Sequence, residues 1–156
     1  MLFGGSMQRT KKNHGFTLIE LMVTIAVMAI IATMAAPSFG DMLLKQDLNR
    51  STQELVGQLN NARSKAVLER REVKIKLNSL DADTPEQLNW KSQGKAILKS
   101  GSPTEIIFQL SGGVKNFAAN IDGKPFIICN KNGGNKSKNI SISLMGTVQV
   151  IEGTCQ

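Results

Sequence analysis

His14-Gly15-Phe16-Thr17-Leu18-Ile19-Glu20 runs into Leu21-Met22-Val23-Thr24-Ile25-Ala26-Val27-Met28-Ala29-Ile30-Ile31-Ala32-Thr33-Met34-Ala35-Ala36 and then meets Pro37. Between Phe16 and Ala36 the single charged side chain is that of Glu20. A helix of this length rises roughly 30 Å, about the hydrocarbon thickness of a bilayer. The stretch 16–36 therefore predicts a membrane-spanning helix. The basic residues before it, Arg9, Lys11 and Lys12, set that end in the cytoplasm and the rest of the chain outside. A carboxylate inside such a segment costs about 2.5–3.5 kcal/mol, so Glu20 needs a partner that the segment itself does not supply.

At these residues the chain resembles the type IV pilin-like family. Gly15 followed by Phe16-Thr17-Leu18-Ile19-Glu20 is similar to that family's prepilin peptidase site, where a short basic leader is cut after the glycine. The resemblance implies a leader over 1–15, cleavage between Gly15 and Phe16, and N-methylation of the new Phe16 amine. It also implies that Glu20 pairs with the N-terminal amine of a neighbouring subunit during assembly. Two charges that are each costly in lipid lower their joint cost by meeting there. The implied partners are prepilin peptidase, the inner membrane and other pilins or pseudopilins in a hetero-oligomeric filament. An ordinary secretory signal, with Thr33-Met34-Ala35 as its cut site, fits less well, because such apolar cores span about 7–15 residues and do not begin with an acid. A plain single-pass anchor leaves Glu20 unexplained. Within the leader, Met7 is a second candidate start.

The 156 residues, less leader and membrane run, leave 37–156 for one small periplasmic domain. The formal net charge is +7, from 19 basic and 12 acidic side chains. Without Arg9, Lys11 and Lys12 the count is 16 against 12, a modest +4 that does not by itself mark a nucleic-acid binder. Cys129 and Cys155 both fall outside the cytoplasm on this topology, where disulfides persist, and a bridge between them is the expectation. Two free thiols or half of a metal site are the alternatives, and the absence of Cys-x-x-Cys spacing argues against zinc.

Beyond Pro37, where a kink or short melted stretch is expected, Phe39, Met42, Leu43, Leu48, Leu55, Leu59, Ala62 and Ala66 recur at helical spacing. One apolar stripe on a helix ending near Leu68–Arg71 follows. Val73-Lys74-Ile75-Lys76-Leu77 alternates as a strand with one dry face. Together with Asn60 to Val67 it resembles the helix end and first strand of the GspH/FimT group of minor pilins and pseudopilins. Asn78 to Glu86 reads as an exposed loop. Short strands are expected at Leu88–Trp90 and Ala96–Leu98, with further strands at Glu105–Leu110, Phe126–Cys129, Ile140–Leu144 and Val148–Ile151. Val114 to Asp122 has no clear period, and Asn130 to Lys138 reads as a basic hairpin loop. Trp90 is expected in the core. One strong helix followed by clustered strands describes an α+β fold, a long N-terminal helix packed on a C-terminal antiparallel sheet.

His14 is the one histidine, so a chain cut after Gly15 lacks Ser-His and Cys-His nucleophile pairs and histidine zinc sites. Gly112-Gly113 and Gly133-Gly134 lack the lysine or helix start of a phosphate loop. Asp81, Asp83 and Glu86 could approach a calcium ion, but their spacing fails the EF-hand pattern. No enzyme, cofactor or metal is expected. Arg63, Lys65, Arg70, Arg71, Lys74 and Lys76 read first as a solvated face and second as a polyanion patch. The GspH/FimT resemblance implies DNA capture in some members, through arginines beside a glycine near the C-terminus. The matching place, Gly146-Thr147-Val148-Gln149, has Thr147 and Gln149 instead, and phosphate affinity comes mainly from Lys and Arg. Lys131, Lys136 and Lys138 are the candidate DNA contacts that could compensate. The leading expectation is a structural minor pilin or pseudopilin of a type IV pilus or type II secretion system; the alternative is a DNA-binding minor pilin for uptake in natural transformation.

Overall fold

In a computed structural model the described residues are 15–155, with the backbone alone described over 35–38. Residues 1–14, which belong to the expected leader and include Met7, Arg9, Lys11, Lys12 and His14, lie outside them, as does the side chain of Pro37. The chain divides into two units, one up to Phe39 and one from Gly40 onward. Helix α1, Leu18–Leu68, contributes to both, and no melted stretch interrupts its assignment at Pro37.

From Leu18 on, the first unit is helix. Thr17 begins it: its Oγ1 accepts a hydrogen bond from the backbone N–H of Glu20 at 3.2 Å, and its carbonyl accepts from Leu21 N. This is the Thr-x-x-Glu spacing of a capping box, and it satisfies donors that a helix start leaves open. Further along, Thr24 and Thr33 donate their hydroxyls to the carbonyls of Leu21 and Ile30, each at 2.8 Å. Neither hydroxyl then needs water.

The second unit is α+β. After α1 come β1 (Val73–Leu77), β2 (Gln87–Trp90), β3 (Ile97–Leu98), β4 (Glu105–Phe108), the short α2 (Phe117–Asn120), β5 (Phe126–Cys129), β6 (Ser137–Ile142) and β7 (Val148–Gly153). The strands form two sheets, ordered β2-β1-β4 and β3-β5-β6-β7. All pairings are antiparallel except β1 with β2. The chain reaches parallel β2 through the 78–86 loop instead of a hairpin, a pairing that local periodicity does not reveal. The 114–122 segment resolves into a single bridge, Phe108 to Val114, and then α2.

The core lies between the sheets and one stripe of α1. Leu55, Leu59, Ala62 and Ala66 are fully buried against Val73, Ile75, Phe108, Phe126, Ile128 and Ile140, and Trp90 joins them as expected. The stripe enters the core only at Leu48; Phe39, Met42 and Leu43, which share its period, are exposed. Two polar residues extend it instead. Ser51 is buried because its Oγ accepts the Gln93 N–H at 2.8 Å, and Thr52 because its hydroxyl donates to the Leu48 carbonyl at 2.7 Å. The helix closes with Arg70 at φ +49°, and Arg71 N reaches back to the Ala66 carbonyl at 3.2 Å, a left-handed stop made without glycine.

Cys129, at the end of β5, forms a disulfide with Cys155, with Cα atoms 5.8 Å apart. Closing a loop of this length stabilises the fold by roughly 3 kcal/mol in the chain-entropy view. Opposite it, two glycine turns interlock over Arg63. A Cβ on Gly146, at φ +77°, would stand 2.5 Å from the Gly112 carbonyl oxygen, which itself accepts from Arg63 Nε at 3.1 Å. Arg63 therefore acts as a clamp within the fold.

Candidate assembly site

From Leu18 to Met34 the large apolar side chains are exposed all round the helix, Leu18, Ile25, Ile30 and Met34 among them. An amphipathic surface helix hides one face; a helix apolar on every side needs an apolar surrounding. At its start Phe16 is exposed, and Glu20 lies in the first turn, where the helix dipole favours a negative charge. Among the described residues Glu20 has no ion-pair partner. The geometry thus brings Gly15, Phe16 and Glu20 within two turns of one another at an open, capped helix end. The capping role of Thr17 has a signal in the sequence, its three-residue spacing to Glu20.

No single helix among the described residues is by itself long and apolar enough to cross a membrane. Leu18–Met34 and Phe39–Leu68 taken together have the length and composition to do so.

The same N-terminal stretch matches a known protein family. The family described as "Prokaryotic N-terminal methylation motif" matches residues 10–36. A "Fimbrial protein" of Pseudomonas aeruginosa is 38% identical over 63 residues, 40% of either chain. A "Type IV major alpha-pilin" of Moraxella bovis is 46% identical over 41 residues, 26% of either chain. This N-terminus is type IV pilin-like. A "Probable minor fimbrial protein" of Dichelobacter nodosus is 36% identical over 44 residues, 28% of either chain. The chain thus spans at most two fifths of the length of these curated relatives, and no solved structure matches it. The pilin-like segment includes Gly15, Phe16 and Glu20, the three residues of the expected cleavage, methylation and assembly site.

The other candidate residues are dispersed. Lys131 and Lys136 are exposed in the loop between β5 and β6, but Lys138 is not a loop residue. It belongs to β6, where the register sets it opposite Glu152 of β7, and its Nζ donates to Glu152 Oε1 at 2.8 Å. Directly opposed unlike charges pair across a ladder, and this pairing occupies the lysine. The hydrogen bond from Lys138, then its charge, hold the exposed Glu152 carboxyl below the usual carboxylate range. Half of the basic face is similarly matched: Arg71 bonds Glu69 and, at 3.0 Å, Glu86; Lys74 meets Glu105 at 3.5 Å and Lys76 meets Asp81 at 3.7 Å. Asp83 accepts the Asn89 N–H at 2.7 Å, so Asp81, Asp83 and Glu86 each have a protein partner of their own.

Proposed function

We propose that this chain is a structural subunit of a type IV pilin-like filament, a minor pilin or pseudopilin of the GspH/FimT type, and not an enzyme. The observation that carries it is the Leu18–Met34 helix, apolar on every side and headed by one capped, unpartnered acid. Lipid covers such a helix before assembly, and the apolar helices of neighbouring subunits cover it afterwards. On this reading the leader is removed after Gly15 and the Phe16 amine is methylated. The apolar segment crosses the inner membrane once, and the unit from Gly40 onward lies in the periplasm. Glu20 meets the amine of the next subunit and sets register, because a buried carboxylate is tolerated only with a partner. The similarity to a minor fimbrial protein of Dichelobacter nodosus supports the minor-subunit reading.

Mass analysis of protein taken from cells tests the processing step and should give an N-terminus at Phe16, one methyl group heavier than the free amine. An N-terminus elsewhere overturns it. Glu20→Ala should leave insertion and cleavage intact and reduce incorporation into filaments at least tenfold; normal incorporation would remove the pairing role.

A further inference from the structure

A β-sheet has two outer strands, and each exposes backbone groups that must be paired, covered or left to water. The two sheets here have four such edges; two are covered by neighbouring segments and a third is very short. On β2 the outward N–H of Gln87 donates to Thr84, and that of Asn89 to Asp83, so the 78–86 loop covers that edge. On β4 the 113–115 segment covers it: Lys115 N donates to the Ile107 carbonyl at 2.9 Å and Gln109 N to the Gly113 carbonyl at 2.8 Å. β3 is two residues long.

β7 is different. Ser143 N donates to the Thr147 carbonyl, which fixes the phase of the β6–β7 ladder. Gln149 and Ile151 therefore bond to β6, and the N–H and C=O of Val148, Val150 and Glu152 point away from it. Among the described residues none of these outward groups has a hydrogen-bond partner. Nor does the strand carry the usual protection of a proline, a bulge or an outward lysine. It is held taut by a tight turn at one end and by the Cys129–Cys155 disulfide beyond the other.

Beside this edge, α1 and β7 enclose a groove of about 460 Å³ lined by Thr52, Gln53, Val56, Asn60, Lys138 and Val150. Val148, Val150 and Glu152 share one face of β7, so a strand added alongside would project alternate side chains over the same groove. Its electrostatics are lopsided. Glu152 is matched by Lys138, while Lys45 of α1 and Lys136 add positive field at the same end and have no ion-pair partner among the described residues.

We propose that the outer edge of β7 is a docking site for an extended polypeptide strand, small and apolar where it faces Val150 and acidic where it nears Lys45 and Lys136. Backbone pairing to Val148, Val150 and Glu152 supplies affinity, and the groove and the two lysines supply selectivity. On the filament reading above, the donor of that strand is a neighbouring subunit. The edge itself is tested without any filament.

The experiment uses the full chain, isotopically labelled in detergent micelles. The probe is a blocked six-residue peptide alternating threonine and valine, with glutamate at each end. Saturable shifts of the Val148, Val150 and Glu152 amides, with at least tenfold slower hydrogen exchange there, are expected. A peptide N-methylated at alternate backbone nitrogens should lose at least tenfold in affinity, and so should the parent peptide against Lys45→Glu/Lys136→Glu. Val150→Pro, which removes an outward donor, should abolish binding. The methylated peptide leaves the protein unaltered and keeps the test sharp if that variant misfolds. No β7 shifts at millimolar peptide, or equal binding of the methylated peptide, overturns the proposal. A duplex oligonucleotide that shifts the lysines where the peptide does not overturns it in favour of a polyanion. Any of these failures leaves the Phe16 and Glu20 tests unaffected.

Discussion

One helix carries two kinds of apolar residue. Ile25, in the first unit, is 61% exposed, and Leu59, in the second, is fully buried, although both are aliphatic side chains on the same element. In the second unit the chain supplies its own covering: a stripe from Leu48 to Ala66, flanked by charged and amide side chains, packed against two sheets. In the first unit the large apolar residues from Leu18 to Met34 fill every side and are exposed. A stripe is a contract with the same polypeptide, whereas an apolar cylinder is a contract with something outside it.

The largest expected contrast is energetic. Leu59→Ala should destabilise the second unit by about 2–5 kcal/mol, the cost of a core cavity. Ile25→Ala should change the same unfolding transition by less than about 0.5 kcal/mol. Denaturant titration followed by fluorescence of buried Trp90, the sole tryptophan, reads both. Equal losses would remove the contrast. A smaller contrast lies in the hydroxyls. Ser51→Ala strands the Gln93 N–H and should cost about 1 kcal/mol, while Thr24→Ala removes only a bond to its own helix and should cost nothing measurable in that transition.

The smallest effect concerns acids. Glu152 has a lysine partner and a lowered pKa, whereas Glu20 has no ion-pair partner among the described residues. Because the folded-state pKa of Glu152 is depressed, its contribution is complete above the ordinary carboxylate pKa and is lost as pH falls through the lowered value. Lys138→Met should move the Glu152 titration, followed by carbonyl NMR, back up toward the ordinary value. An unchanged midpoint would show that Lys45 and Lys136 set it instead.

Much of this was readable in the residues. The helix stop near Leu68, the Val73–Leu77 strand, the buried Trp90 and the pilin-like start each follow from a local pattern, and local patterns survive folding. What was not readable depends on long-range register. Lys138 looked like a loop lysine because strand β6 begins before its apolar alternation does, at Ser137. Phe39, Met42 and Leu43 share the period of Leu55 and Leu59, and periodicity does not say where along a helix the covering sheet stops. The parallel β1–β2 pair and the division into two sheets were hidden for the same reason. The covering of two sheet edges by neighbouring segments depends on individual groups such as Asp83 Oδ1, whose bond to Asn89 no spacing rule announces.

The Cys129–Cys155 link has a further consequence for how this unit comes apart. With its two cysteines 26 positions apart in sequence, it turns the hairpin loop, β6 and β7 into a closed ring of chain. A cut in the exposed turn around Lys131 would leave both fragments tethered, and the C-terminal strand could not drift off as a tail. Only reduction together with a cut would free it, so this part of the surface is lost through two chemical events and never through one.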